Sequence, residues 1–152
     1  MANTYTQIYI HVIFAVHGRE SLLQDEWRDS LFRYIIGACK NRKHYVYAIN
    51  GMADHLHLLI GINPSESLSQ LIQSIKLQSS KWINDKYGHG HFHWQKGYGA
   101  FSYSKSQVPI VSKYIANQQE HHKRVSFHDE LISILEKAGI EYNPDYIMKG
   151  FV

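Results

Sequence analysis

Two histidines one residue apart, His55 and His57, sit in the run Asn50-Gly51-Met52-Ala53-Asp54-His55-Leu56-His57-Leu58-Leu59-Ile60. Successive side chains of a strand point to opposite faces, so both imidazoles face one way while Leu56 and Leu58 face the other. Two such imidazoles are half of a metal site. Farther along, Tyr114 precedes Gln118 by four residues, which on a helix puts a phenol and an amide on one face, one turn apart. A glutamine carbonyl oxygen suits a cation already held by two imidazoles. A tyrosine oxygen suits nucleophilic attack that leaves a covalent phosphoryl intermediate. Tyrosine is neutral near pH 7, so the metal, a base or water must help remove its proton, and the sequence names no such base.

Other histidines compete for attention, because the chain has 11 of them and a histidine on a strand is often plain packing. His89, His91 and His93 lie in a glycine-rich loop and read as polar surface or a DNA contact rather than a second metal site. His121 and His122 follow the tyrosine and read as neighbours of solvent or phosphate rather than of the metal. His11 reads either as a satisfied core histidine or as a support behind the site.

The elements that must position these groups follow from periodicity. Residues Tyr5 to Val16 are rich in β-branched and aromatic types and predict a buried strand. Trp27, Leu31, Phe32, Ile35, Ile36 and Cys39 recur at three- and four-residue steps, predicting a helix from Asp25 to Lys40. Tyr45 to Asn50 and His55 to Ile62 form a hairpin around Gly51 to Asp54. A second helix starts near Asn63-Pro64-Ser65 and runs to about Tyr87. The stretch from Gly88 to Gly99 is a loop leading to a short strand, Ala100 to Ser104. Val108 to Lys123 predicts a third helix and Phe127 to Lys137 a fourth, ending near Gly139. This order predicts an α+β fold, a ferredoxin-like or RRM-like antiparallel sheet with helices packed on one face and C-terminal helices carrying the tyrosine. The other sheet face is expected to stay open for a site.

At 152 residues, 44% hydrophobic and 19% charged, the chain has the profile of one globular domain spanning 1–152, not of a disordered segment. Net charge is +3 with neutral histidines, a mild bias toward an anionic partner. Cys39 is the sole cysteine, which excludes an internal disulfide and thiolate clusters and fits a reducing cytoplasm. No apolar run approaches the roughly 20 residues of a membrane span.

Three segments together, Asp54-His55-Leu56-His57-Leu58-Leu59, Trp94-Gln95-Lys96-Gly97-Tyr98-Gly99-Ala100-Phe101-Ser102 and Tyr114-Ile115-Ala116-Asn117-Gln118, resemble the small HUH transposases with a single catalytic tyrosine. These are enzymes of insertion sequences that move as single-stranded DNA, with REP-associated tyrosine transposases among their relatives. The resemblance implies that His55, His57 and Gln118 hold a divalent metal, Mg²⁺ or Mn²⁺, and that Tyr114 is the nucleophile forming a 5′-phosphotyrosine. It implies hairpin-ended single-stranded DNA as substrate and a homodimer with active sites shared between subunits, the tyrosine helix coming from the partner. Arg19, Lys76, Lys81 and Lys96 are then candidates for phosphate contacts, and Trp94, Tyr98 and Phe101 for stacking on unpaired bases. Two alternatives stand beside this reading: a non-cleaving RRM-like nucleic-acid-binding module, and a host-adopted or rolling-circle-type HUH nickase.

Overall fold

The computed structural model describes residues 3–18, 21–88, 90–145 and 147. Strand β1 (Tyr9–Ala15) is followed by helix α1 (Asp25–Asn41), the hairpin β2 (Tyr45–Gly51) and β3 (His55–Gly61), helix α2 (Leu68–Ile83), and β4 (Gly99–Tyr103). Then come α3 (Val108–Ala116), the single turn α4 (Gln118–His121) and α5 (Phe127–Ala138). All pairings are antiparallel and the sheet order is β2-β3-β1-β4, as the split arrangement predicts.

The period of two decides what each face carries. Val12, Phe14, Leu56, Leu58 and Ile60 point to one face, where they close over Leu31, Phe32 and Ile35 of α1 and Leu71, Ile72 and Ile75 of α2. That is the main core. The opposite face carries His11, Ile13, Ala15, His55, His57 and Leu59, all buried. It is not open, which corrects the expectation from sequence. Val111 and Ile115 of α3 cover Leu59, while Phe127 and Leu131 of α5 cover Ile13 and Ala15.

Three boundaries also differ. The first strand begins at Tyr9 rather than Tyr5, and α2 ends at Ile83, where one wider turn takes the chain through 84–88. The expected helix from Val108 to Lys123 breaks at Asn117, whose φ and ψ are −95° and 20°. Asn50 of β2 explains the break: its Nδ2 donates to the carbonyls of Ile115 (3.0 Å) and Ala116 (3.1 Å). A side-chain donor takes over carbonyls that a continuing helix would use for its own next turn. Gly139 ends α5 in the left-handed conformation, with φ of 70°, as expected of a glycine just past a helix.

Candidate metal and nucleophile site

The hairpin delivers His55 and His57 to one face as their spacing requires. Gly51 is essential to that turn, because a Cβ there would run into the carbonyl oxygen of His55. Each imidazole is held from behind. His55 Nδ1 lies 2.7 Å from Asp54 Oδ1, and the Phe127 ring stacks on His55 at 4.1 Å between centroids. His57 Nδ1 lies 2.8 Å from His11 Nε2, so His11 serves as the support behind the site.

The C-terminal helices supply the rest. Tyr114 on α3 and Gln118 just past the break both reach Glu130 on α5: the Tyr114 hydroxyl donates to Glu130 Oε2, and Gln118 Nε2 donates to the same oxygen at 3.1 Å. Glu130 Oε1 faces three imidazoles, at 3.0 Å from His57 Nε2, 3.1 Å from His122 Nε2 and 3.4 Å from His55 Nε2. Gln118 Oε1 lies 3.2 Å from His55 Nε2 and 2.9 Å from His122 Nε2. His55, His57, His122 and Glu130 each offer one donor atom within 4.8 Å of the others, a set suited to a divalent cation.

Burial sets the electrostatics. His11 is pushed down to about 3 and His57 to about 4, in both cases chiefly by burial, so both are neutral near pH 7. His55 feels the same burial, yet Asp54 and Glu130 outweigh it and raise its value. For Glu130 burial favours protonation, but the close imidazoles of His122, His55 and His57 prevail and keep it a carboxylate. Tyr114 is raised above its ordinary value by burial and by the adjacent Glu130 charge. The phenol therefore keeps its proton at rest.

Tyr114 also borders two clefts. One, of about 370 Å³, is lined by His11, Tyr103, His121, Glu130 and Lys137 among others; the second, of about 460 Å³, lies beside Asn117, His121 and Arg124. Both bring exposed cationic side chains, Arg124 and Lys137, to the neighbourhood of Tyr114.

The residues expected from sequence thus divide. His55, His57, Tyr114 and Gln118 converge. His122, read as a neighbour of solvent or phosphate, instead points its Nε2 into the cluster, because its Nδ1 is held 2.7 Å from the Val125 carbonyl in the turn before α5. Glu130 was not singled out at all. Three DNA-contact expectations fail on burial and pairing. Phe101 is 7% exposed in the core. Trp94 packs against Phe14 and Phe92 and donates its indole N–H to Ser79 at 2.9 Å. Lys76 gives its ammonium to the carbonyls of Gln95 (2.9 Å) and Gly97 (2.5 Å), tying α2 to the loop before β4. Lys81, Lys96 and Tyr98 are exposed, as are His91 and His93, whereas Arg19 and His89 lie outside the described residues.

The profile described as "Transposase IS200 like" matches residues 4–118. The transposase of insertion sequence IS200 from Salmonella typhimurium is 26% identical over 129 residues, covering 81% of this chain and 84% of that protein. The ISDra2 transposase TnpA of Deinococcus radiodurans is 23% identical over 121 residues, covering 75% and 86%. A solved REP-associated tyrosine transposase bound to a REP hairpin shares the fold, with a TM-score of 0.61 at 16% identity over 100% of this chain and 93% of its own. With both histidines, the tyrosine and the glutamine inside the matched span, the chain belongs to the IS200-like family and is a DNA transposase of the single-tyrosine type.

Proposed function

We propose that this transposase binds hairpin ends of an insertion sequence and cleaves and rejoins single-stranded DNA through a 5′-phosphotyrosine on Tyr114. One observation carries the reading: the Tyr114 hydroxyl and the imidazoles of His55 and His57 meet the same carboxylate, so nucleophile and cation donors are one side chain apart. His55, His57 and Gln118 would hold a divalent ion, Mg²⁺ or Mn²⁺, which would supply Lewis-acid polarisation of the scissile phosphate. Glu130 Oε2 is in place to accept the proton that Tyr114 loses as its oxygen bonds to phosphorus and the DNA 3′-oxygen leaves. The free 3′-hydroxyl can reverse the step on another end, so joining needs no external energy. His11 and Asp54 hold the two imidazoles in place throughout. Arg124 and Lys137, with exposed Lys81 and Lys96, are suited to backbone phosphates flanking the cleaved bond.

Hairpin DNA as ligand draws support from the hairpin bound to the REP-associated relative. Two observations fit work in the reducing cytoplasm: the lone cysteine, Cys39, is buried, and no helix among the described residues is long and apolar enough to cross a membrane. The non-cleaving alternative has no use for a tyrosine donating to a buried carboxylate beside three imidazoles. Incubation with single-stranded hairpin DNA and Mn²⁺ should give a covalent adduct on a denaturing gel, and Tyr114→Phe should give none. An adduct from Tyr114→Phe would move the nucleophile elsewhere. Wild type that binds hairpins without any adduct would leave only the binding module.

A further inference from the structure

The ligand set implied by the family resemblance, His55, His57 and Gln118, leaves the protons of this cluster unexplained. His55 Nδ1 faces the Asp54 carboxylate and His122 Nδ1 faces the Val125 carbonyl, both at 2.7 Å, so each ring carries its proton on Nδ1. The Nε2 atoms of both rings then present lone pairs. Yet His55 Nε2 looks at Gln118 Oε1 and Glu130 Oε1, and His122 Nε2 looks at the same two oxygens, all acceptors. Four acceptor atoms from four side chains converge with no proton among them. Extra protons on both rings would satisfy these contacts only by placing two imidazolium charges with ring centroids 4.6 Å apart. A single divalent cation satisfies them all.

From this we infer that the metal centre of this transposase is a three-histidine, one-carboxylate site, His55, His57, His122 and Glu130, selective for a divalent transition ion over Mg²⁺. The inference rests on the metal reading proposed above and deepens it. For a metal at about 2.1 Å from each donor, tetrahedral edges are about 3.4 Å. Glu130 Oε1 stands 3.0, 3.1 and 3.4 Å from the three Nε2 atoms, so one small cation fits among them with minor adjustment. Three imidazole nitrogens suit the later first-row metals, whereas Mg²⁺ favours oxygen ligands and retains water. Each ring is also fixed behind by a hydrogen bond, to Asp54, His11 or Val125, the arrangement that metal-bound histidines need. Gln118 Oε1 remains beside the cluster as a further oxygen. His122 and Glu130 both lie beyond residue 118, outside the span that the family model matches.

Co²⁺ titration of the full-length metal-free protein, followed by visible absorption, tests the assignment without any DNA cleavage. Wild type should bind one equivalent, and millimolar Mg²⁺ should not displace it. Glu130→Gln and His122→Asn should each weaken Co²⁺ binding by about 10- to 100-fold. On wild type itself, Zn²⁺ should move the ¹⁵N resonance of His122 Nε2 to the range of a metal-bound imidazole, a measurement that needs no variant to fold. If Co²⁺ binding is lost in His57→Ala but unchanged in Glu130→Gln and His122→Asn, and His122 Nε2 does not move, the four-residue centre is wrong while the metal reading stands. Displacement of Co²⁺ by millimolar Mg²⁺ would overturn the selectivity. Wild type that binds no divalent ion overturns both.

Discussion

Asp54 occupies the last position before β3, and its carboxylate holds His55 Nδ1 at 2.7 Å, fixing both tautomer and ring direction. Removing that charge frees the ring to turn and lowers its basicity toward a cation. Asp54→Asn should therefore lower affinity for a divalent ion by about 10- to 100-fold, with hairpin binding retained, as calorimetry and a gel shift would show. Equal losses in both would mean that Asp54 shapes the DNA surface instead. His55 and His57 were legible because alternation on a strand is a two-residue rule. Glu130 was harder, because nothing in its spacing from Tyr114 or Gln118 marks it as their partner. Its signal is of another kind: it falls on the apolar stripe of α5 with Phe127, Leu131 and Ile134, where a carboxylate has no reason to be without partners. His122 was readable only once the chain was known to turn at Val125 and bring its ring back.

The break between α3 and α4 carries no local stop signal, since no glycine or proline lies at or near Asn117. Its cause is a residue 65 positions away: Asn50, which donates to Ile115 and also exchanges hydrogen bonds with the Gln119 amide at 3.0 and 2.9 Å. This contact docks the tyrosine-bearing segment on the histidine hairpin. Asn50→Ala leaves the last carbonyls of α3 without their donor and should cost about 1–3 kcal/mol in stability by denaturant unfolding. It should lower adduct formation more than Co²⁺ binding, because α3 shifts while His55, His57 and Glu130 stay. A second tie lies far from the site, where Arg42 at the end of α1 donates to Glu66 from Nε at 3.0 and 2.9 Å, and His44 Nε2 lies 2.8 Å from Glu66 Oε1. Chiefly through the Arg42 hydrogen bonds, the Glu66 carboxyl is held down at about 2, below its ordinary 4.5. A lowered folded-state value means stability that is fully present above about pH 4.5 and lost as pH falls toward 2. Glu66→Gln should lower Tm by about 3 °C at pH 7, and the gap to wild type should narrow steadily as pH falls from about 4.5 toward 2 in thermal melts. A gap of constant size across that range would assign the effect to packing.

Taken together, the elements place both halves of the site in one chain. The sheet alternation that buries Val12, Phe14, Leu56 and Leu58 under α1 and α2 necessarily turns His11, His55 and His57 to the opposite face, and α3 and α5 close over that face. This layering explains why the order of strands and helices was readable from periodicity while the second covering layer was not: α3 and α5 read equally well as helices wherever they pack. It also bears on how the active site is assembled. The resemblance implies a homodimer in which the tyrosine comes from the partner, but here Tyr114 donates to Glu130 and its ring stands 5.9 Å from that of His57 within a single chain. This contact favours a site completed in cis. Mixing inactive His57→Ala and Tyr114→Phe chains, with time for subunits to exchange, separates the two assemblies. If each chain uses its own tyrosine, the mixture should form no adduct, since every site lacks either a ligand or the nucleophile. A shared site would give a different result: in randomly mixed two-fold dimers about one quarter of the sites would combine an intact histidine pair with an intact tyrosine, and adduct would reappear at about that fraction of the wild-type level.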